Sequence, residues 1–68
     1  MRPSSDSTAS QLATFADAVG DYRSRVADLA EPFIGSDRDD LVAAIHEAER
    51  QLRNAERALI RAARAAES

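Results

Sequence analysis

From Leu12 to Phe33 the large apolar residues fall at Leu12, Phe15, Val19, Tyr22, Val26, Leu29 and Phe33, spaced 3, 4, 3, 4, 3, 4 without a miss. Such spacing lines one face of a helix and repeats every seven residues. A strand would need alternation of period two, which this stretch lacks. The segment is therefore expected to be an amphipathic helix that must lay its apolar face on something.

A second seam follows. Leu41, Ile45, Ala48, Leu52, Ala55, Leu59, Ala62 and Ala66 are spaced 4, 3, 4, 3, 4, 3, 4. Here bulky Ile45, Leu52 and Leu59 occupy one edge and Ala48, Ala55 and Ala62 the other. Between the seams lies Pro32-Phe33-Ile34-Gly35. Proline lacks the N–H a helix needs and disfavours helical angles at Glu31, so the first helix should end near Ala30 or Glu31. A connection this short implies antiparallel neighbours. The expected fold class is all-α, a two-helix antiparallel hairpin, assembled into a four-helix bundle or docked on a partner helix.

The ends follow from local chemistry. Residues 1–7 are polar with one proline and read as a disordered lead-in to a single helical hairpin over 8–68. Thr8-Ala9-Ser10-Gln11 forms a capping-box pattern, which starts the first helix at about residue 8 and carries it to about 31. After a turn at 32–36, Ser36 or Asp37 can cap a second helix over about 37–67. Asp37, Asp39 and Asp40 place negative charge at its positive end. At ~1.5 Å per residue the second helix outruns the first by a couple of turns, leaving Ile60 to Ser68 without an intramolecular neighbour.

The bulky residues of the first helix are expected to fit the alanine groove of the second, since large-into-small packing fills a helical core. The intramolecular core expected is Phe15, Val19, Tyr22, Val26, Leu29, Ile45, Leu52 and Leu59. A stripe of small residues at Ala13, Ala16, Gly20, Ala27 and Ala30 is then left over for another hairpin. Gly20 supports this, because a mid-helix glycine costs about 1 kcal/mol against alanine and so usually has a packing reason. On that expectation Gly20→Arg would split the assembly. Chain length argues the same way. At 68 residues with no cysteine and one histidine, neither disulfides nor a Cys/His zinc cage can supplement a small core, and oligomerisation remains.

Arg50, Arg53, Arg57, Arg61 and Arg64 fall within an arc of about 80° on the second helix, a stripe suited to phosphate or an acidic partner. Glu47, Glu49 and Glu56 flank it, no aromatics interleave for base stacking, and the net charge is −3. A solvated outer face is the better account, and nucleic acid is not the expected partner. Asp37-Arg38-Asp39-Asp40 fails the calcium-loop pattern for want of its glycine and of its terminal glutamate, where Ala48 stands. His46 falls on the arginine side, away from any nucleophile. Val42 and Ile60 are expected to point that way too. No catalytic, cofactor-binding or metal-ligating set emerges, so the expected function is a non-enzymatic interaction module binding protein helices, its own or another's. The alternative is a small regulatory hairpin that binds nucleic acid or another anion through the arginines.

No apolar run reaches ~18 residues, so no membrane span is expected. The first seven residues hold no apolar core of a signal peptide, which points to the cytoplasm. Alanine richness with arginine as the only basic residue type besides His46 resembles the usage of GC-rich, actinobacterial genomes.

Two heptad helices joined at Phe33-Ile34-Gly35 resemble the WXG helical-hairpin proteins of type VII secretion, in which Trp-x-Gly marks the turn. The resemblance implies a secretion-associated hairpin, exported without a signal peptide, that pairs with itself or a sister hairpin. Phe33 stands in place of tryptophan, the chain is about a third shorter than usual for that family, and no Tyr-x-x-x-Asp/Glu export signal follows the second helix.

Overall fold

A computed structural model describes residues 5–67 of the chain. Helix α1 spans Ser5–Asp28 and helix α2 spans Asp39–Glu67, with a 3-10 turn at Glu31–Phe33 between them. The two helices pack antiparallel along their lengths, so the fold is an all-α hairpin. It is one layer thick, with extents of 57 × 16 × 13 Å. Its radius of gyration is 16.0 Å, against about 11 Å for a compact domain of this length.

Helix α1 starts at Ser5, a turn earlier than the capping box suggests. Gln11 Nε2 donates to Ser7 Oγ at 3.1 Å, an i,i+4 pair on the helix surface. Of the expected disordered lead-in, Ser5 to Ser7 are thus helical and residues 1–4 lie outside the described region.

The helix tightens before Pro32. Leu29 N donates to Val26 O and Ala30 N to Ala27 O, both three residues back, and α1 ends at Asp28 rather than at 30 or 31. Pro32 sits in the first positions of the 3-10 turn, where its missing N–H has no partner to lose. Gly35 then takes φ +82°, the left-handed region that side chains avoid. Ser36 Oγ donates to Phe33 O at 2.6 Å and accepts from Arg38 N at 3.1 Å. Ser36 therefore braces the turn instead of capping α2. Arg38 O accepts the first helical bonds, from Leu41 N and Val42 N, so the connection runs to residue 38. Arg38 Nε also donates to Asp40 Oδ1 at 3.2 Å. That bond, with help from the Leu41 N–H, holds the Asp40 carboxyl below its usual range.

The helices meet on faces rotated from the expected ones. Among the described residues the buried ones are four alanines: Ala9, Ala16 and Ala30 on the α1 side, and Ala63 on α2. Around them Leu12, Val19, Val26 and Phe33, with Ile45, Leu52, Leu59 and Ala66 of α2, are half-buried. Phe15, Tyr22 and Leu29, placed in the core by the sequence pattern, are 53%, 56% and 63% exposed. Ala48 and Ala55 are exposed as well, so no alanine groove holds those three side chains within the chain. Val42, expected on the arginine side, is half-buried in the seam.

The reason is that each helix carries two interleaved heptads. In α1, Leu12, Val19 and Val26 belong both to the frame of Phe15 and Tyr22 and to the frame of Ala9, Ala16, Arg23 and Ala30. In α2, Ile45, Leu52 and Leu59 are shared between the frame of Ala48 and Ala55 and that of Val42, Glu49, Glu56 and Ala63. The small frame of α1 wins, because its alanines let the backbones come close. The polar members of that frame also find one another: Arg23 Nε donates to Glu56 Oε1 at 3.2 Å and Arg23 Nη1 to Glu49 Oε1 at 3.4 Å.

These bonds set Arg23 level with the midpoint of residues 49 and 56. Ala9 then lies near the end of α2, and the expected overhang disappears. The longer connection between Asp28 and Asp39 sets residues 60–67 of α2 level with residues 8–15 of α1, which is why Ala63 is buried and Ala62 and Ala66 are half-buried.

Gly20 faces its own chain, not a partner. A Cβ there would meet Glu56 Oε2 at 2.5 Å and Cδ at 3.1 Å. The contact is the end of a flexible side chain that is 27% exposed, so it can turn aside. Helix propensity favours alanine by about 1 kcal/mol, whereas a partly exposed ion pair contributes less than about that. Gly20→Ala should therefore raise the thermal midpoint by roughly 2–4 °C, measured by circular dichroism. A lowered midpoint would mean that the Glu56 contact outweighs propensity.

Candidate functional site

The side chains of the hairpin divide into two unlike edges. On one edge Arg23 bridges Glu49 and Glu56, and Arg53 Nη2 donates to Glu49 Oε1 at 2.5 Å. Glu49 is the least exposed charged side chain of these ion pairs, at 12%. Burial pushes its carboxyl up, but the hydrogen bond and charge of Arg53, followed by those of Arg23, outweigh this and lower it overall. This cluster combines a cross-helix link with an i,i+4 pair, and no reading of either helix alone reveals it.

The other edge follows by rotation. Tyr22, Ala48 and Ala55 each precede a member of that cluster by one residue, so each lies about 100° around its helix in the same sense. In an antiparallel pair that sense carries both helices to the same side. Phe15, Tyr22 and Leu29 therefore share a face with Ala48, Ala55 and Ala62, across the seam from the ion pairs.

This face is almost free of charge. Its α1 half reads Gln11, Phe15, Ala18, Tyr22, Arg25 and Leu29 at steps of four and three; its α2 half reads Ala44, Ala48, Gln51, Ala55, Ala58 and Ala62. Among the described residues Arg25 is the one charged side chain that falls here. Its guanidinium carbon lies 5.5 Å from the centre of the Tyr22 ring, while Nη1 reaches Asp21 Oδ2 at 3.5 Å. Interface cores are depleted in charge and enriched in aromatics and arginine.

The other sequence candidates take their places around it. Leu12, Ala16, Val19, Gly20, Val26, Phe33, Leu41, Ile45, Leu52 and Leu59 are buried or half-buried along the hairpin seam. Phe15, Tyr22, Leu29, Ala48 and Ala55 form the open face. Arg50, Arg53, Arg57, Arg61 and Arg64 are all exposed, on neither apolar surface. Arg50 pairs with Glu47 and Arg53 with Glu49, which leaves that stripe partly neutralised. His46 is exposed beside it, and Ile60 is 38% exposed. Among the described residues no helix is long and apolar enough to cross a membrane. Against protein-family models, curated proteins and solved structures this chain finds no match, so the apolar face itself is the ground for a functional reading.

Proposed function

We propose that this hairpin is a non-enzymatic interaction module that binds protein helices through the face of Phe15, Tyr22 and Leu29. The observation that carries it is the exposure of three large apolar side chains, each more than half open, at seven-residue intervals. A helix-in-groove partner reads such spacing directly. The hairpin's own core is only alanine-deep, and a chain of this size has a margin of no more than about 3–5 kcal/mol without outside help, so covering the face also supports the fold. Arg50 and Arg53 are already engaged by glutamates, which is why anion binding by the arginine stripe is not the reading preferred. The likeness of Phe33-Ile34-Gly35 to a Trp-x-Gly turn fits the same reading. Within it we place the protein in the cytoplasm, with signal-peptide-independent export as the alternative.

The test is a triple variant, Phe15→Ser, Tyr22→Ser and Leu29→Ser, of the tagged chain purified from its own host. These positions lie off the hairpin seam, so the variant should keep its helical circular dichroism. Native mass spectrometry should show the wild type in a complex and the variant as the bare chain. A wild type that is recovered only as a bare single chain would overturn the reading.

A further inference from the structure

We infer that the occupant of this face is a second copy of the chain, docked about a twofold axis parallel to the helices, with α1 of each copy on α2 of the other. The inference rests on the helix-binding reading and names the partner.

Size comes first. The chain exposes 5147 Å², whereas a compact monomer of 7.4 kDa exposes about 4,200 Å². The surplus is close to the roughly 800 Å² that each partner contributes to a stable interface. One further hairpin, laid along the length of the first, is the size of partner that accounts for it.

The face is also complementary to itself. Its α1 half is bulky and its α2 half is lined with alanine. A twofold axis along the helices turns the bulky half of each copy onto the alanine half of the other, and satisfies both contacts at once. A twofold axis across the helices would set bulky on bulky and leave the alanines facing each other across a gap.

Register supports the first arrangement. Arg23 lies level with Leu52 and Arg53 of its own chain, and an axis parallel to the helices preserves levels between copies. Tyr22 of one copy then comes level with the gap between Gln51 and Ala55 of the other. Seven residues along, Phe15 comes level with the gap between Ala58 and Ala62. In the other direction Leu29 meets the gap between Ala44 and Ala48. Each bulky side chain thus faces a space flanked by alanine, the knob-and-hole relation of a helical bundle. Arg25 stays at the rim beside its own Asp21. The polar edge of Arg23, Glu49 and Glu56 faces away, so no charge is buried.

The experiment uses the full chain, with Tyr22→Glu and Ala55→Arg made in separate chains. Both positions are exposed in the hairpin, so helicity should be unchanged. Light scattering after gel filtration should give the wild type at twice the 7.4 kDa chain mass and each variant at the chain mass. Mixed together, the two variants should regain the doubled mass. Between them one contact sets the introduced carboxylate against the introduced guanidinium, and the other remains Tyr22 on Ala55. A wild-type dimer whose variants do not re-form on mixing would overturn this pairing of α1 with α2. A wild type that is monomeric at high concentration would overturn the second copy as occupant. The helix-binding reading would then survive only if Tyr22→Glu released a partner captured in the host, and would fall with the inference if no partner were captured.

Discussion

Leu52→Asp is expected to abolish the cooperative unfolding of the chain. Leu52 belongs to both heptad frames of α2, is half-buried at the middle of the hairpin, and lies level with Arg23. The substitution removes apolar contact from the point where both seams converge. It also adds a carboxylate three residues from Glu49 and four from Glu56, with Arg23 as the cross-helix cation for all three. A partly buried charge without its own partner costs about 3 kcal/mol or more, comparable to the whole margin of about 3–5 kcal/mol for a chain this small. Leu52→Ala should cost less, about 2 kcal/mol, the low end for leucine truncation because the site is only half-buried. Total helicity is the wrong readout. The Ala-, Arg- and Glu-rich α2 keeps some helix on its own, so the measurement is the sigmoidal thermal transition. A sharp transition for Leu52→Asp within a few degrees of the wild type would contradict the placement of this residue at the centre of the seam.

How the helices pair was only half legible from sequence, and the shared residues show why. Leu12, Val19, Val26, Ile45, Leu52 and Leu59 lie on the hairpin seam in either frame, so the hairpin itself follows from spacing alone. The choice between frames does not. Phe15, Tyr22 and Leu29 are the more hydrophobic members of α1, and a rule that buries the largest side chains selects them. The structure buries Ala9, Ala16 and Ala30 instead, because close backbone approach and the pairing of Arg23 with two glutamates act between helices. A single helix's periodicity contains no such information. One signal was present: a lone arginine in the small frame of α1, with two glutamates seven residues apart in α2. Antiparallel register brings those three together, and testing each frame for opposite charge across the turn would have selected the observed one. The start of α1 was missed for a different reason. Ser5, Asp6 and Ser7 are weak helix formers individually and stay exposed; their turn extends the helix that is anchored at buried Ala9.

Replacing Arg23, Glu49 and Glu56 together with leucine or methionine should raise the thermal midpoint, by about 5 °C or more. The three side chains sit at seam positions where an apolar residue would contact the opposite helix without the cost of removing charge from water. Partial exposure keeps the gain below that of a fully buried triad. The pH profile gives an independent check. Arg53 and Arg23 hold the folded Glu49 carboxyl below the ordinary glutamate range, so the unfolded chain takes up that proton first as pH falls. Its contribution is complete well above the ordinary glutamate range and is lost as pH drops through the lower, folded value. The wild type should therefore lose stability as pH falls through that range by an increment that the apolar variant does not share, and the variant's advantage should widen in acid. A gap that stayed constant across that window would mean that Glu49 is not held by Arg53 and Arg23 in solution. The variant should also differ in assembly. With the charged edge made apolar, the hairpin has two open faces instead of one, and light scattering should show masses beyond a single closed species. The cluster of Arg23, Glu49 and Glu56 thus limits the stability of the hairpin while leaving it one face on which to bind, and the variant separates those two effects.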